Sequence, residues 1–81
     1  MSATPAEILD VLARVAETEE VHTNQELALY DLQILDSMKT VELIVALGSE
    51  LGVQISPAEF EREKWATPRL LVEDVQQRLN A

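Results

Sequence analysis

The stretch Leu35-Asp36-Ser37-Met38-Lys39-Thr40-Val41-Glu42-Leu43-Ile44-Val45-Ala46-Leu47-Gly48-Ser49-Glu50-Leu51-Gly52 decides the fold. Asp36 is a residue type that caps helix N-termini well. Gly52 stands where a helix ends on a left-handed glycine. Between them Val41, Ile44, Val45, Leu47 and Leu51 recur at helical spacing and form an apolar face. The pattern predicts a helix over about Ser37 to Leu51, and the remainder of the chain must cover that face.

Upstream, Thr4-Pro5-Ala6-Glu7 is a capping box with proline at the first helical position. Ile8, Leu12 and Val15, flanked by Leu9 and Ala16, carry this first helix to about Thr18. Residues Glu19 to Asp36 form a long connection. It holds Leu27, Leu29, Tyr30, Leu32, Ile34 and Leu35, so it is expected to pack down, with room for a short helical turn. Structureless connections of this length are uncommon and are often functional.

Downstream, Val53-Gln54-Ile55 reads as a short extended link. Ser56-Pro57-Ala58-Glu59 repeats the logic of Thr4-Pro5-Ala6-Glu7 and predicts a brief third helix over about Pro57 to Arg62. Thr67-Pro68 opens a last helix with Leu71, Val72, Val75 and Leu79 as its core stripe. The fold class is therefore all-α: a small four-helix bundle with a long loop between the first and second helices. The chain reads as one domain spanning 1–81.

The totals narrow the function. A chain of 81 residues builds a thin core and little room for a deep catalytic cleft. The 2 Gly and 3 Pro argue against a turn-rich β fold and against disorder. With no Cys there are no disulfides, thiolate zinc sites or Cys nucleophiles, which fits a reducing compartment. The formal net charge of −9, from 15 acidic and 6 basic residues, argues against nucleic acid, whose phosphates would repel the chain. It also disfavours docking on anionic lipid and steers the chain toward basic patches on partner proteins. The N-terminus lacks the basic and apolar regions of a signal peptide. No run reaches the roughly 20 apolar residues of a membrane span. A monomer in the cytoplasm, without membrane insertion, is expected.

Catalytic chemistry finds no support. A hydrolytic Ser37 needs a base within reach and an oxyanion hole. His22 is the only His and falls in the long connection, where a solvent-facing role suffices. No G-x-S-x-G elbow is present. Asp31, Asp36 and the cluster Glu59, Glu61 and Glu63 do not follow a calcium-loop pattern, and no metal site is expected. The glutamates read as a solvated face offset by Arg62 and Lys64. Phosphate loops and dinucleotide fingerprints need glycines that are absent.

What remains is a serine at a helix N-terminus with nothing of its own to activate it. Serine caps helices routinely. A group attached covalently by another protein gives Ser37 a different purpose. A phosphodiester there would meet outward-pointing amides and the positive end of the helix dipole. Asp36 has two candidate jobs: capping the helix, and helping a modifying enzyme place its metal and the hydroxyl. Met38, next in line, is either an ordinary core residue or a flexible thioether that packs against several partners.

Asp36-Ser37 with Leu35 before and Met38 after resembles the D-S-L-type signature of acyl and peptidyl carrier proteins. Thr40-Val41-Glu42-Leu43 continues that resemblance toward the D-alanyl carrier proteins. Glu59-Phe60-Glu61-Arg62-Glu63-Lys64-Trp65-Ala66-Thr67-Pro68 resembles the E-F-x-R-x-x-W-x-T-P run of the same group and is the more discriminating block. Gln33 stands where that group often carries Gly, and Lys39 where it carries Gly or Ala. The resemblance implies phosphopantetheine carried covalently on Ser37 by a phosphopantetheinyl transferase, with Asp36 in the recognised setting. It implies a D-alanine-activating ligase that loads the arm, and membrane-associated D-alanyl transfer machinery that esterifies teichoic acid. Met38, Lys39, Val41 and Glu42 are the candidate partner contacts. Trp65 and Phe60 are read as core residues anchoring the turn before the last helix. A carrier for another amino acid or an acyl chain of fatty-acid or polyketide type, and an unmodified acidic adaptor, are the competing readings.

Overall fold

The computed structural model describes residues 3–58 and 60–80. Four helices form: α1 Pro5–Ala16, α2 Glu20–Thr23, α3 Ser37–Leu51 and α4 Pro68–Leu79, with a 3₁₀ turn Arg62–Trp65 ahead of α4. No strand occurs among the described residues. The expected all-α bundle is what the chain builds.

The caps behave as their residue types dictate. The Thr4 hydroxyl accepts from the Glu7 amide at 3.2 Å and the Glu7 carboxylate accepts from the Thr4 amide at 3.0 Å, closing the capping box. Thr67 caps α4 by accepting from the Leu70 amide at 3.2 Å. Gly52 ends α3 at φ 73°, a left-handed conformation that costs glycine little. α1 stops at Ala16 rather than Thr18. Glu17 turns left-handed at φ 60°, and the Thr18 hydroxyl accepts from the Glu20 amide at 3.2 Å. Thr18 thereby belongs to the turn that leads into α2 instead of prolonging α1, and His22 falls on that short helix rather than in a loop.

The core gathers Ile8 and Leu12 of α1, Leu43 and Leu47 of α3, and Leu71 and Val75 of α4. Val21, Leu29, Leu35 and Trp65 seal it from the connecting segments. Two of the expected core positions on α3 are elsewhere. Val41 and Val45 are exposed, because the buried arc of the helix is Thr40, Leu43, Ile44 and Leu47. That arc faces α1, and α3 is apolar over a wider sector than its neighbours can cover.

The connection between α2 and α3 is packed, as expected. The Leu29 amide donates to the Ala66 carbonyl at 2.9 Å, and the Arg69 amide to the Gln25 carbonyl at 3.2 Å. The exception is Leu32, which is exposed. The amides of Ile34 and Leu35 both reach the Leu29 carbonyl, at 2.8 and 3.0 Å. That reversal requires Gln33 to adopt φ 59°. It delivers the chain to Asp36 at the start of α3.

The short third helix lies later than the sequence predicts. Pro57 and Ala58 form a turn, in which the Ser56 hydroxyl accepts from the Ala58 amide at 3.3 Å, two residues on. That bond is one a helix cap could make, but the described residues after it, Pro57, Ala58 and Phe60, do not go on into a helix. Glu59 lies outside the described residues. Helical geometry comes at Arg62–Trp65, pinned by Trp65, which is wholly buried. Its indole Nε1 donates to the buried Asp74 carboxylate at 2.8 Å. Phe60 meets the indole edge-on, with centroids 4.8 Å apart.

Candidate functional site

Three residues make the floor of the site. Asp36 is extended, at φ −135° and ψ −172°, and its carboxylate accepts from the Lys39 amide at 2.8 Å. Its carbonyl accepts from both the amide and the hydroxyl of Thr40, at 2.8 and 2.7 Å. The first turn of α3 is thus fixed by its own cap, while Ser37, the first helical residue, stays exposed. The amides of Ser37 and Met38 lie in the turn where helix N–H groups lack intrahelical acceptors.

No side chain among the described residues hydrogen-bonds the Ser37 hydroxyl. His22 is engaged on α2, with Nε2 3.4 Å from both the Asp10 and Glu19 carboxylates. A hollow of about 440 Å³ at that end is lined by charged side chains and is larger than the one beside Ser37. It is an open, salt-bridged surface, so size does not make it the site. No group of three metal-ligating side chains assembles among the described residues.

A groove of about 280 Å³ opens directly beside Ser37. Thr40, Val41 and Ile44 line it from α3, and Tyr30, Pro57, Phe60 and Arg62 from the two connections. The Tyr30 hydroxyl bonds the Thr40 hydroxyl at 2.7 Å, which ties the long connection to the first turn of α3. The Arg62 guanidinium stacks on the Tyr30 ring, 4.5 Å from its centroid. Such a stack contributes about 0.5–1 kcal/mol at a partly exposed site. Burial raises the Tyr30 phenol above its ordinary pKa, against smaller opposing effects of Thr40 and Arg62.

The remaining candidates divide between two faces. Met38 and Val41, with Val45, form an exposed apolar stripe at i, i+3 and i+7, Met38 at 73% and Val45 at 63% exposure. Glu42 is exposed beside it. Lys39 turns the other way. Its ammonium donates to the Val15 carbonyl at 3.3 Å and lies 3.5 Å from the Glu17 carboxylate. It joins α3 to the end of α1, where a cation suits the helix dipole. Arg62 on Tyr30 and Asp74 as the acceptor for Trp65 leave no signal in the sequence. Spacing cannot reveal pairs made across the fold.

The site is a capped helix start that presents an exposed serine hydroxyl beside a small groove. Residues 6–75 match the phosphopantetheine attachment site family, whose members hold that group covalently. The chain is similar to the D-alanyl carrier protein of Enterococcus faecalis, 36% identical over 85% of this chain and 88% of that one. It is 38% identical to that of Listeria welshimeri over 80% of this chain and 83% of that one. It is 40% identical to that of Lacticaseibacillus casei over 86% of each. The chain belongs to the phosphopantetheine attachment site family and, within it, to the D-alanyl carrier proteins, which are carriers and not themselves catalysts. The residues present fit the group: an open hydroxyl, free helix-start amides, an adjoining groove and a nearby cation.

Proposed function

We propose that Ser37 bears the phosphopantetheine arm and that the chain, as one carrier unit over 1–81, presents D-alanine for attachment to teichoic acid. The observation that carries this reading is the exposure of Ser37 at the first position of a helix whose cap is already satisfied by Asp36. The bound group supplies the thiol on which the amino acid rides as a thioester. The chain's own residues do the rest. Helix-start amides offset the phosphodiester charge, and Asp36 holds the turn rigid for a phosphopantetheinyl transferase to read.

The groove bears on the cargo. At about 280 Å³ it falls just under the roughly 300 Å³ at which small-molecule pockets begin. It has room for part of an arm, and a small aminoacyl group asks for no more. Met38 and Val41 on the exposed stripe, with Glu42 at its edge, are the contacts we assign to the D-alanine-activating ligase and to membrane-associated transfer machinery. Lys39 contributes to that surface only by holding α3 in place. The reading places a monomer in the cytoplasm. No helix among the described residues is long and apolar enough to cross a membrane.

Intact mass after incubation with coenzyme A and a broad-specificity phosphopantetheinyl transferase tests the attachment. Wild type should gain one phosphopantetheine and Ser37→Ala none. Loading of the holo chain by the ligase with labelled D-alanine tests the cargo. Preference for another amino acid would reject D-alanine and leave the carrier intact.

A further inference from the structure

Among the described residues Arg62 stands apart from the other cations. Of the 6 basic residues, Arg14, Lys39, Lys64, Arg69 and Arg78 each pair with a carboxylate. Arg62 instead sits on the Tyr30 ring and lines the groove that Ser37 also lines. Its platform is not loose. The Tyr30 hydroxyl is bonded to Thr40, and Thr40 to the Asp36 carbonyl, so the ring is locked to the turn that starts with Ser37. In a chain of net charge −9, the cation beside this serine runs against the surrounding field.

We propose that Arg62 is a positioning residue for the arm: seated on Tyr30, its guanidinium meets the phosphodiester and lays the first part of the arm along the groove. The proposal rests on the reading that Ser37 bears the arm. The chemistry is complementary. A guanidinium offers a planar fork of donors to phosphate oxygens. Val41, Ile44 and Phe60 offer apolar contact to the methyl-bearing segment that follows the phosphate. An arm held this way keeps the proximal part of its length against the domain and leaves the terminal thiol free for a partner.

The test uses the holo chain, wild type and Arg62→Gln, with the arm labelled in its methyl groups. In wild type the arm methyls should relax with the domain, and the phosphorus resonance should move with salt. Arg62→Gln should release the arm, raising the free-to-held ratio roughly two- to fivefold, the range of a partly exposed ion pair. The salt dependence should fade with it. Arg62→Lys keeps the charge and loses the flat stacking surface, and should release most of the arm. A lysine that holds the arm as well as arginine does removes Tyr30 from the device. Thermal unfolding of the apo forms verifies that each variant folds. Intact mass separates the two ideas. An arm missing from wild type, or present on Ser37→Ala, overturns the attachment and this proposal together. An attached arm with the same relaxation and phosphorus shift in Arg62→Gln overturns the clamp alone.

Discussion

Replacing Asp74 by Ala removes the acceptor of a buried donor and should be among the costlier single changes in α4. Asp74 is buried, and one of its carboxylate oxygens accepts from Trp65 Nε1 at 2.8 Å and from Arg78 Nε at 2.9 Å. The wholly buried indole N–H then has no partner among the described residues, a loss of about 1–3 kcal/mol. The Arg78 pair, at i and i+4, adds about 0.3–0.5 kcal/mol. A total of about 1.3–3.5 kcal/mol is large for a chain of 81 residues, whose whole stability is roughly 4–12 kcal/mol. Urea unfolding followed by far-ultraviolet circular dichroism measures it. A double-mutant cycle with Trp65→Phe isolates the indole bond, because Phe keeps much of the packing and has no N–H. The coupling between the two changes should be about 1.5 kcal/mol or more. Arg78→Ala alone should cost under about 1 kcal/mol. A cost for Asp74→Ala below about 0.5 kcal/mol, or a coupling near zero, would refute the view that this bond anchors the turn.

Two further outcomes follow from single positions. Gln33 holds φ 59° with a side chain that gains nothing from it, a strain of about 1 kcal/mol or more. Gln33→Gly should therefore be neutral to about 1 kcal/mol stabilising, and Gln33→Val destabilising by more than about 1 kcal/mol; thermal denaturation of both checks it, and a neutral valine would sink the account. Tyr30 is the only tyrosine, so phenolate absorbance reports it alone. Its native pKa is raised by burial, so the unfolded chain loses the proton first, and stability should be complete below about pH 10 and fall as pH rises above it. Tyr30→Phe should abolish the phenolate signal and flatten stability against pH there; an alkaline stability loss unchanged in Tyr30→Phe would assign the effect to other groups.

The parts of the fold that were readable in the sequence are those written in adjacent residues. Thr4 and Glu7, Asp36 and Lys39, and Thr67 and Leu70 are capping pairs three residues apart, and each helix begins where its pair says. Ser56-Pro57-Ala58 carries the same signal and fails. A helix is not nucleated by its cap alone and needs an apolar face to pack. Here the pull comes from Trp65, whose partner Asp74 is nine residues away. Val41 and Val45 fail as core residues for a related reason. Periodicity shows that a face is apolar but not how much of it the neighbours cover. The exposed serine and its cap were legible, whereas the groove wall of Tyr30 and Arg62 was not, because it joins segments 32 residues apart in number, from 30 to 62.

If Ser37 bears the arm, as proposed, it must be offered to unlike proteins in turn, and rigidity then has to lie beneath the serine rather than on it. The start of α3 meets that need from three directions. Asp36 caps it from within, Thr40 ties it to Tyr30, and Lys39 ties it to the end of α1 at the Val15 carbonyl. None of these bonds uses the Ser37 hydroxyl. The apolar stripe of Met38, Val41 and Val45 begins beside the serine and runs along the helix, away from the side that Lys39 secures. A partner that covers the stripe gains hydrophobic contact at about 25 cal/mol per Å² without disturbing any of the three ties. With the arm on Ser37, as proposed, such a partner would arrive with its reacting groups near it. A net charge of −9 would act earlier, at long range, by favouring partners with basic faces. On the proposed reading, charge would select the encounter, the stripe would set its register, and the fixed helix start would hold the arm's root in the same position for every partner.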